Sequence, residues 1–348
     1  MRALTVQPRV PGSALVEEVA PPAVGNGSVL VDTLAVGVCG TDLEIAAGEY
    51  GEAPPGESRL ILGHESLGRV REAPTDCGLA EGDLVVGIVR RPDPEPCPSC
   101  AVGEWDMCRN GRYTEHGIKA LHGFAREQYR IAPEFAVRLD PALADVGVLL
   151  EPTTVVAKAW DHIERIGRRV SWQPHTVLVT GAGPIGLLAA LLSVQRGLQT
   201  HVLDRVSEGR KPQLTRALGA RYHSGPVADL DLAPDVIIEC TGAPSVVMEV
   251  MGLTGHDGIV CLAGVSATGR RVTVDAGALN REIVLQNDVV FGTVNANRRH
   301  YELAARALAE AEGDWLRRLI SRRVPLDRYA EALQRRDDDI KVVLDLAG

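Results

Sequence analysis

The chain has 348 residues, 45% hydrophobic and 24% charged, and carries a formal net charge of −9 at pH 7. That length exceeds one ordinary core and predicts about two domains, while the acidic balance opposes nucleic acid or an anionic membrane as a general partner. Seven cysteines, three of them clustered, read as metal or thiol chemistry in a reducing, cytoplasmic compartment and not as a disulfide framework.

Met1-Arg-Ala-Leu-Thr-Val enters a strand and lacks the apolar stretch of a signal peptide. The region up to about residue 150 is rich in Val, Gly and Pro. Its short apolar runs, such as Ser28–Val36 and Asp83–Val89, are bounded by turn residues and predict strands of a largely β domain. Two short motifs stand out there. Cys39-Gly-Thr-Asp and Gly63-His64-Glu65 offer a sulfur, a nitrogen and an oxygen donor, and zinc accepts all three in a tetrahedral set. Glu151, where the β region gives way to helix, offers a second carboxylate to the same site. A catalytic zinc keeps one position open, where an alcohol oxygen binds and loses its proton more easily. Further along, Cys97-Pro-Ser-Cys100 with Cys108 reads as a structural zinc loop, with Asp93 or Glu95 to complete it. Cys240 and Cys261 fall in or beside strands and are expected in the core.

From about Pro152 the texture changes. Thr153–Ile166 has apolar residues at helical spacing, and strands and helices then alternate. Strands are predicted at Thr176–Thr180, Thr200–Asp204, Asp235–Glu239, Gly258–Ala263 and Val289–Gly292, and helices at Pro184–Arg196, Lys211–Leu218 and Pro244–Met251. Such alternation favours a doubly wound parallel sheet. The uncharged run Thr176–Val194 is long enough to mimic a membrane span, but its glycines and proline fit a buried strand–turn–helix better.

Gly181-Ala-Gly183-Pro184-Ile185-Gly186 sits at that turn. Gly181 permits the tight bend, Gly183 lets backbone approach a pyrophosphate, and Gly186 allows close helix–strand packing. The helix N-terminus adds free N–H groups and partial positive charge. Asp204, 23 residues beyond Gly181, ends the next strand, where a carboxylate accepts from the adenosine ribose hydroxyls and repels a 2′-phosphate. That favours NAD, although Arg205, Arg210 and Lys211 follow closely and offset the repulsion, leaving NADP open. The tail returns to helices at Arg299–Ala311 and Asp327–Arg335 and a final strand from Ile340. Its Arg-rich stretches, Arg298-Arg299-His300 and Ser321-Arg322-Arg323, read as solvated faces.

Together these residues resemble the zinc-dependent medium-chain alcohol dehydrogenase superfamily over essentially the whole chain. More narrowly they resemble its glucose 1-dehydrogenase branch, on Gly48-Glu-Tyr-Gly-Glu-Ala-Pro-Pro-Gly-Glu before Ile61-Leu-Gly-His-Glu, on Tyr113-Thr-Glu-His-Gly-Ile, and on Gly292-Thr-Val-Asn-Ala-Asn-Arg-Arg-His. The resemblance implies an α/β fold: a GroES-like catalytic domain at 1–152, completed by 293–348, and a Rossmann dinucleotide-binding domain at 153–292, with a cleft between them. It implies that Cys39, His64 and either Glu65 or Glu151 hold a catalytic zinc, that Thr41 relays the substrate proton, and that Glu115, Glu151 and Asn295 contact sugar hydroxyls. The expected reaction is hydride transfer from the anomeric carbon of a glucose-like aldose to NAD(P), giving a lactone. A polyol, cyclitol or modified-sugar dehydrogenase is the alternative, and a non-catalytic nucleotide-binding protein the remote one. Relatives are commonly dimers or tetramers, so a homo-oligomer is expected. Two departures are visible: Pro94 stands where the family's lobe carries a fourth cysteine, and Asp204 stands where many relatives carry Asn or Arg and accept NADP.

Overall fold

Val29–Val38 is a ten-residue strand with most of its side chains buried, and the first unit is built around it. In the computed structural model, which describes residues 1–23, 25 and 27–347, it pairs antiparallel with Glu65–Glu72, Gln128–Ile131 and Lys341–Asp345. Leu84–Gly87, Ala136–Arg138 and Ile320–Pro325 extend the sheet to seven strands. Leu4, Val31, Val36, Phe124, Tyr129 and Leu344 sit in its core. Residues at both chain ends thus belong to one unit, Met1–Glu151 with Asn295–Gly348, as a GroES-like β-rich domain requires; the second unit is Pro152–Val294.

Ser321-Arg322-Arg323 is no solvated helical face. It lies in the strand Ile320–Pro325, parallel to Lys341–Asp345. The guanidinium of Arg322 grips Asp339 at 2.8 and 2.6 Å and donates to the carbonyls of Glu331 and Gln334. Arginine reads as a surface residue until its fork finds a carboxylate, and Asp339 lies 17 residues on.

The second unit is a six-stranded parallel sheet. Its order runs Arg221–Ser224, Gln199–Asp204, Thr176–Thr180, Val236–Glu239, Ile259–Leu262, Val289–Gly292. This is the doubly wound order 3-2-1-4-5-6, with its switch point beside the first strand. Leu178, Leu203, Ile237 and Val260 pack in its core. The apolar run from Thr176 divides into a strand and the helix Pro184–Gln195, and among the described residues no helix is long and apolar enough to cross a membrane. Two elements escape the sequence pattern. Arg221–Ser224 is a polar edge strand, and the helix Ala276–Gln286 has no fully buried residue, its stripe reduced to the half-buried Leu279 and Ile283.

Strand register in the first unit does something a hydrophobic pattern cannot reveal. Gly37 pairs with Glu65 on one side, and Val38 pairs with Val342 on the other. That alignment brings the Lys341 ammonium to both oxygens of Glu65, at 2.7 and 2.6 Å, with both side chains almost wholly buried. Gly37 is required there: a Cβ on it would lie 2.0 Å from Glu65 Oε2. Breaking such a pair strands an uncompensated buried charge. Lys341→Met is therefore expected to cost about 3–5 kcal/mol in denaturant unfolding, most of it recovered by adding Glu65→Leu.

Candidate active site

Cys39 caps the N-terminus of the short helix Gly40–Ala46. Its sulfur accepts from the Thr41 N–H at 3.3 Å, while the Asp42 carboxylate accepts from the Cys39 N–H at 2.9 Å. This reciprocal capping locks the sulfur's direction and buries Asp42. His64 follows Gly63, whose φ of +87° suits glycine and turns the chain into the strand Glu65–Glu72. The imidazole is buried between the two: Nε2 lies 3.0 Å from Cys39 Sγ, and Nδ1 lies 3.4 Å from Asp42 Oδ1. At that length the second contact is electrostatic, and it leaves Nδ1 without a hydrogen-bond partner among the described residues. A carboxylate behind one ring nitrogen, with the other facing a thiol, is how a metal-ligating histidine is commonly oriented.

Ligand atoms of Cys39, His64 and Glu65 all fall within 4.8 Å of one another. The donor set and the buried, poorly satisfied imidazole fit a zinc ion. Glu65 enters this group already clamped by Lys341; burial alone would lower the lysine's pKa, but Glu65, Cys39 and Glu151 together raise it. Glu151, second residue of the helix Leu150–Gly167, is half-buried and is not in that converging group, but it is close enough to interact electrostatically with His64 and Glu65. Burial pushes its carboxyl up to about 7; His64 and Lys341 pull back, and Glu65 adds to the rise. Burial alone would lower the His64 pKa, yet its contacts with Cys39 and Asp42 hold it well above the ordinary histidine value. The metal-free site thus retains protons that a divalent cation would expel.

Glu115 and Asn295, 180 residues apart, meet through a 2.7 Å hydrogen bond from Asn295 Nδ2 to Glu115 Oε1. Asn295 adopts φ +62°, a left-handed conformation that asparagine tolerates. The Thr41 hydroxyl donates to no group among the described residues. Three neighbours of these residues were not anticipated: Asp42, Lys341 and Arg90, which binds Glu115 at 3.0 Å. Asp42 had a signal, since Cys-x-x-Asp matches a capping box. A lone lysine within Ile340-Lys-Val-Val-Leu was a second.

In the second unit the three glycines are each accounted for. Gly181 has φ +89°. A Cβ on Gly186 would lie 1.7 Å from the Gly181 carbonyl oxygen, whereas one on Gly183 would meet nothing within 4 Å. The backbone at Gly183, which caps Pro184–Gln195, is therefore open to a phosphate, with Pro184 and Ile185 forming the helix's first turn. Asp204 Oδ2 accepts from the Ala182 N–H at 2.7 Å and from Lys211 Nζ at 3.0 Å. Burial would raise its pKa, but those donors hold it below the usual carboxylate value. Arg205 beside it is exposed.

Cys97, Cys100 and Cys108 converge within 4.8 Å. The Arg109 and Cys100 N–H groups lower Cys97 to about 6, while burial raises Cys100 to about 11. Asp93 is not in that group; its Oδ1 accepts from the Glu95 N–H, and Oδ2 lies 3.3 Å from Arg112. Glu95 pairs with Arg112 at 2.7 Å.

The alcohol dehydrogenase GroES-like domain family matches residues 25–141, and the glucose dehydrogenase C-terminus family matches 144–346. Glucose 1-dehydrogenase of Methanocella arvoryzae is 40% identical over 100% of both chains, and that of Thermoproteus tenax 42% identical over 99% of each. Among solved structures, Haloferax mediterranei glucose dehydrogenase in complex with NADP, Zn and gluconolactone superposes with a TM-score of 0.92, at 32% identity and full coverage of both chains. The chain belongs to the zinc-dependent medium-chain dehydrogenase family, within its glucose dehydrogenase branch.

A divalent cation beside Glu151 forces the carboxyl to ionise. Zinc binding followed by calorimetry in buffers of different ionisation enthalpy is expected to release more protons near pH 6, where Glu151 starts protonated, than near pH 8. In Glu151→Gln that difference should shrink by roughly one proton.

Proposed function

We propose that the chain is a zinc-dependent glucose 1-dehydrogenase that transfers hydride from the anomeric carbon of an aldose to NAD(P) and yields the lactone. The observation that carries this is the convergence of Cys39 Sγ and His64 Nε2 at 3.0 Å on a donor set of zinc type. It occurs in a chain about 40% identical, end to end, to proteins that bear that name. The Haloferax neighbour was solved with NADP, Zn and gluconolactone, the two cofactors and the product this reading requires.

Cys39 and His64 hold the metal, with Asp42 orienting the imidazole. Glu151 is the third ligand in our reading. Both Glu65 oxygens are engaged by Lys341, which neutralises their charge and leaves Glu65 as a buried anion behind the site. The bound zinc supplies Lewis acidity that makes the substrate hydroxyl a stronger acid, and the bound nicotinamide accepts the hydride. Thr41 passes the hydroxyl proton on. Glu115 and Asn295 bind ring hydroxyls, and a site built to bond a hydroxyl strongly rejects analogues lacking it.

Gly181, Gly183 and Gly186 shape the phosphate turn, and Asp204 faces the adenosine ribose with Lys211 beside it. The carboxylate favours NAD over NADP in this assignment, with NADP a secondary cofactor. For Cys97, Cys100 and Cys108 we propose a structural zinc site, with Asp93 the nearest candidate for the fourth position. The acidic charge opposes nucleic-acid and membrane partners, and we assign the chain to the cytoplasm as a dimer or tetramer, which light scattering tests.

The direct test is NAD(P)H formation over a panel of aldoses, polyols and cyclitols, before and after chelation with zinc add-back. Zinc-dependent turnover on glucose is expected; turnover confined to polyols or cyclitols would discard the aldose assignment. Cys39→Ser should lower kcat/KM by about a thousandfold or more with cofactor binding intact, since several kcal/mol of metal-derived stabilisation is lost. Asp204→Ala should shift the NADP-to-NAD ratio of kcat/KM toward NADP by about tenfold, or about 1.4 kcal/mol.

A further inference from the structure

Glu115 belongs to a buried polar ring of which the chemistry above uses only Glu115 and Asn295. Its Oε1 accepts from Arg90 Nε at 3.0 Å and from Asn295 Nδ2 at 2.7 Å, and lies 3.0 Å from Arg90 Nη2. Arg90 Nη1 donates to the Asp106 carbonyl at 3.1 Å. Asp106 Oδ1 in turn accepts from Asn297 Nδ2 at 2.7 Å, and Asn297 stands two residues beyond Asn295. The Arg90 and Glu115 side chains are 7% and 8% exposed, so water screens neither. The guanidinium also lies 3.7 Å from the centroid of the Tyr113 ring, which fixes its plane.

All the donors that reach Glu115 converge on one oxygen. Oε1 is saturated, while Oε2 meets no protein donor among the described residues. The Asn295 side chain is oriented by the same contacts: one Nδ2 hydrogen goes to Glu115 and Oδ1 accepts from the Ala296 N–H at 2.7 Å, which leaves the second Nδ2 hydrogen for a hydroxyl. One planar fork, spanning the Glu115 carboxylate and the Asp106 carbonyl together, therefore holds the carboxylate in place and ties it to the turn leading to Cys108. An ammonium presents no such fork.

We infer that Arg90 is a positioning residue that sets sugar specificity: it saturates Glu115 Oε1 and reserves Oε2 as the acceptor for one ring hydroxyl. The inference rests on the reading of Glu115 as a sugar contact. Arg90 acts on the sugar only through Glu115, so its effect falls on substrate recognition and not on hydride transfer.

The test is steady-state kinetics of the zinc-loaded enzyme with glucose and its deoxy analogues at saturating cofactor, for Arg90→Met, Arg90→Lys, Glu115→Gln and the Arg90→Met/Glu115→Gln pair. Arg90→Met is expected to raise the glucose KM by about tenfold or more, with a smaller fall in kcat, an unchanged cofactor KM and weaker discrimination against one deoxy sugar. Lysine should rescue little of this, and the double variant should match Glu115→Gln alone, because the two residues act as one unit. A glucose KM unmoved by Arg90→Met but raised by Glu115→Gln overturns the role of Arg90 and spares the sugar-contact reading. A glucose KM unmoved by Glu115→Gln overturns that reading and the inference with it. Additive effects in the double variant overturn action through Glu115. Where Arg90→Met fails to fold, Arg90→Lys keeps the buried charge and carries the same comparison with Glu115→Gln.

Discussion

Glu65 and Lys341 stand 276 residues apart in the chain and meet with both charges withdrawn from water. A buried ion pair contributes little net stability, because desolvation offsets most of the attraction, but a misplaced one is severely unfavourable. The pair therefore acts as a register pin. A one-residue slip of either strand against Val29–Val38 would turn Glu65 or Lys341 to the other face of the sheet. With the register set, Cys39 follows the end of the central strand, His64 precedes Glu65, and the sulfur and imidazole are delivered to the same point.

The parts of this arrangement that read from the sequence are those carried by local chemistry. Strand–turn–helix around Gly181 is legible because its three glycines answer three steric demands within six residues, and the structure shows each demand at its own position. The proximity of Cys39 to His64 had a weaker signal, donor types that one metal ion would accept together. What stayed hidden is long-range and polar. Nothing in Ile340-Lys-Val-Val-Leu says which carboxylate the lysine will meet, and Arg322 read as surface because Asp339 becomes its partner only once the strand Ile320–Pro325 is formed. The edge strand Arg221–Ser224 and the helix Ala276–Gln286 were missed for the opposite reason: the first is polar, and the second offers only Leu279 and Ile283 as a half-buried stripe.

At Asp204 the sequence shows the residue type but not its surroundings. A carboxylate at the end of the second Rossmann strand is expected to wait for a ribose. Here it also accepts from Ala182 within the glycine turn and from Lys211 on the next helix. The same anion thus braces the phosphate turn and partly neutralises itself. The charge presented at the end of this strand is therefore that of Asp204 and Lys211 together, not of one residue.

The electrostatics of the first unit's site follow the same logic of incomplete compensation. Asp42, Glu65 and Glu151 bring three carboxyl groups beside Cys39 into a region from which water is largely withdrawn, against a single fixed cation, Lys341. Without a further positive charge the site balances itself with protons, holding one on Glu151 to about pH 7 and one on His64 well above the usual histidine range. Neither proton is compatible with metal ligation by its residue. A cation bound here therefore competes with those two protons. Lys341 sets how far this goes. Paired directly with Glu65, it compensates the most deeply buried of these carboxylates and only partly offsets the rise at Glu151.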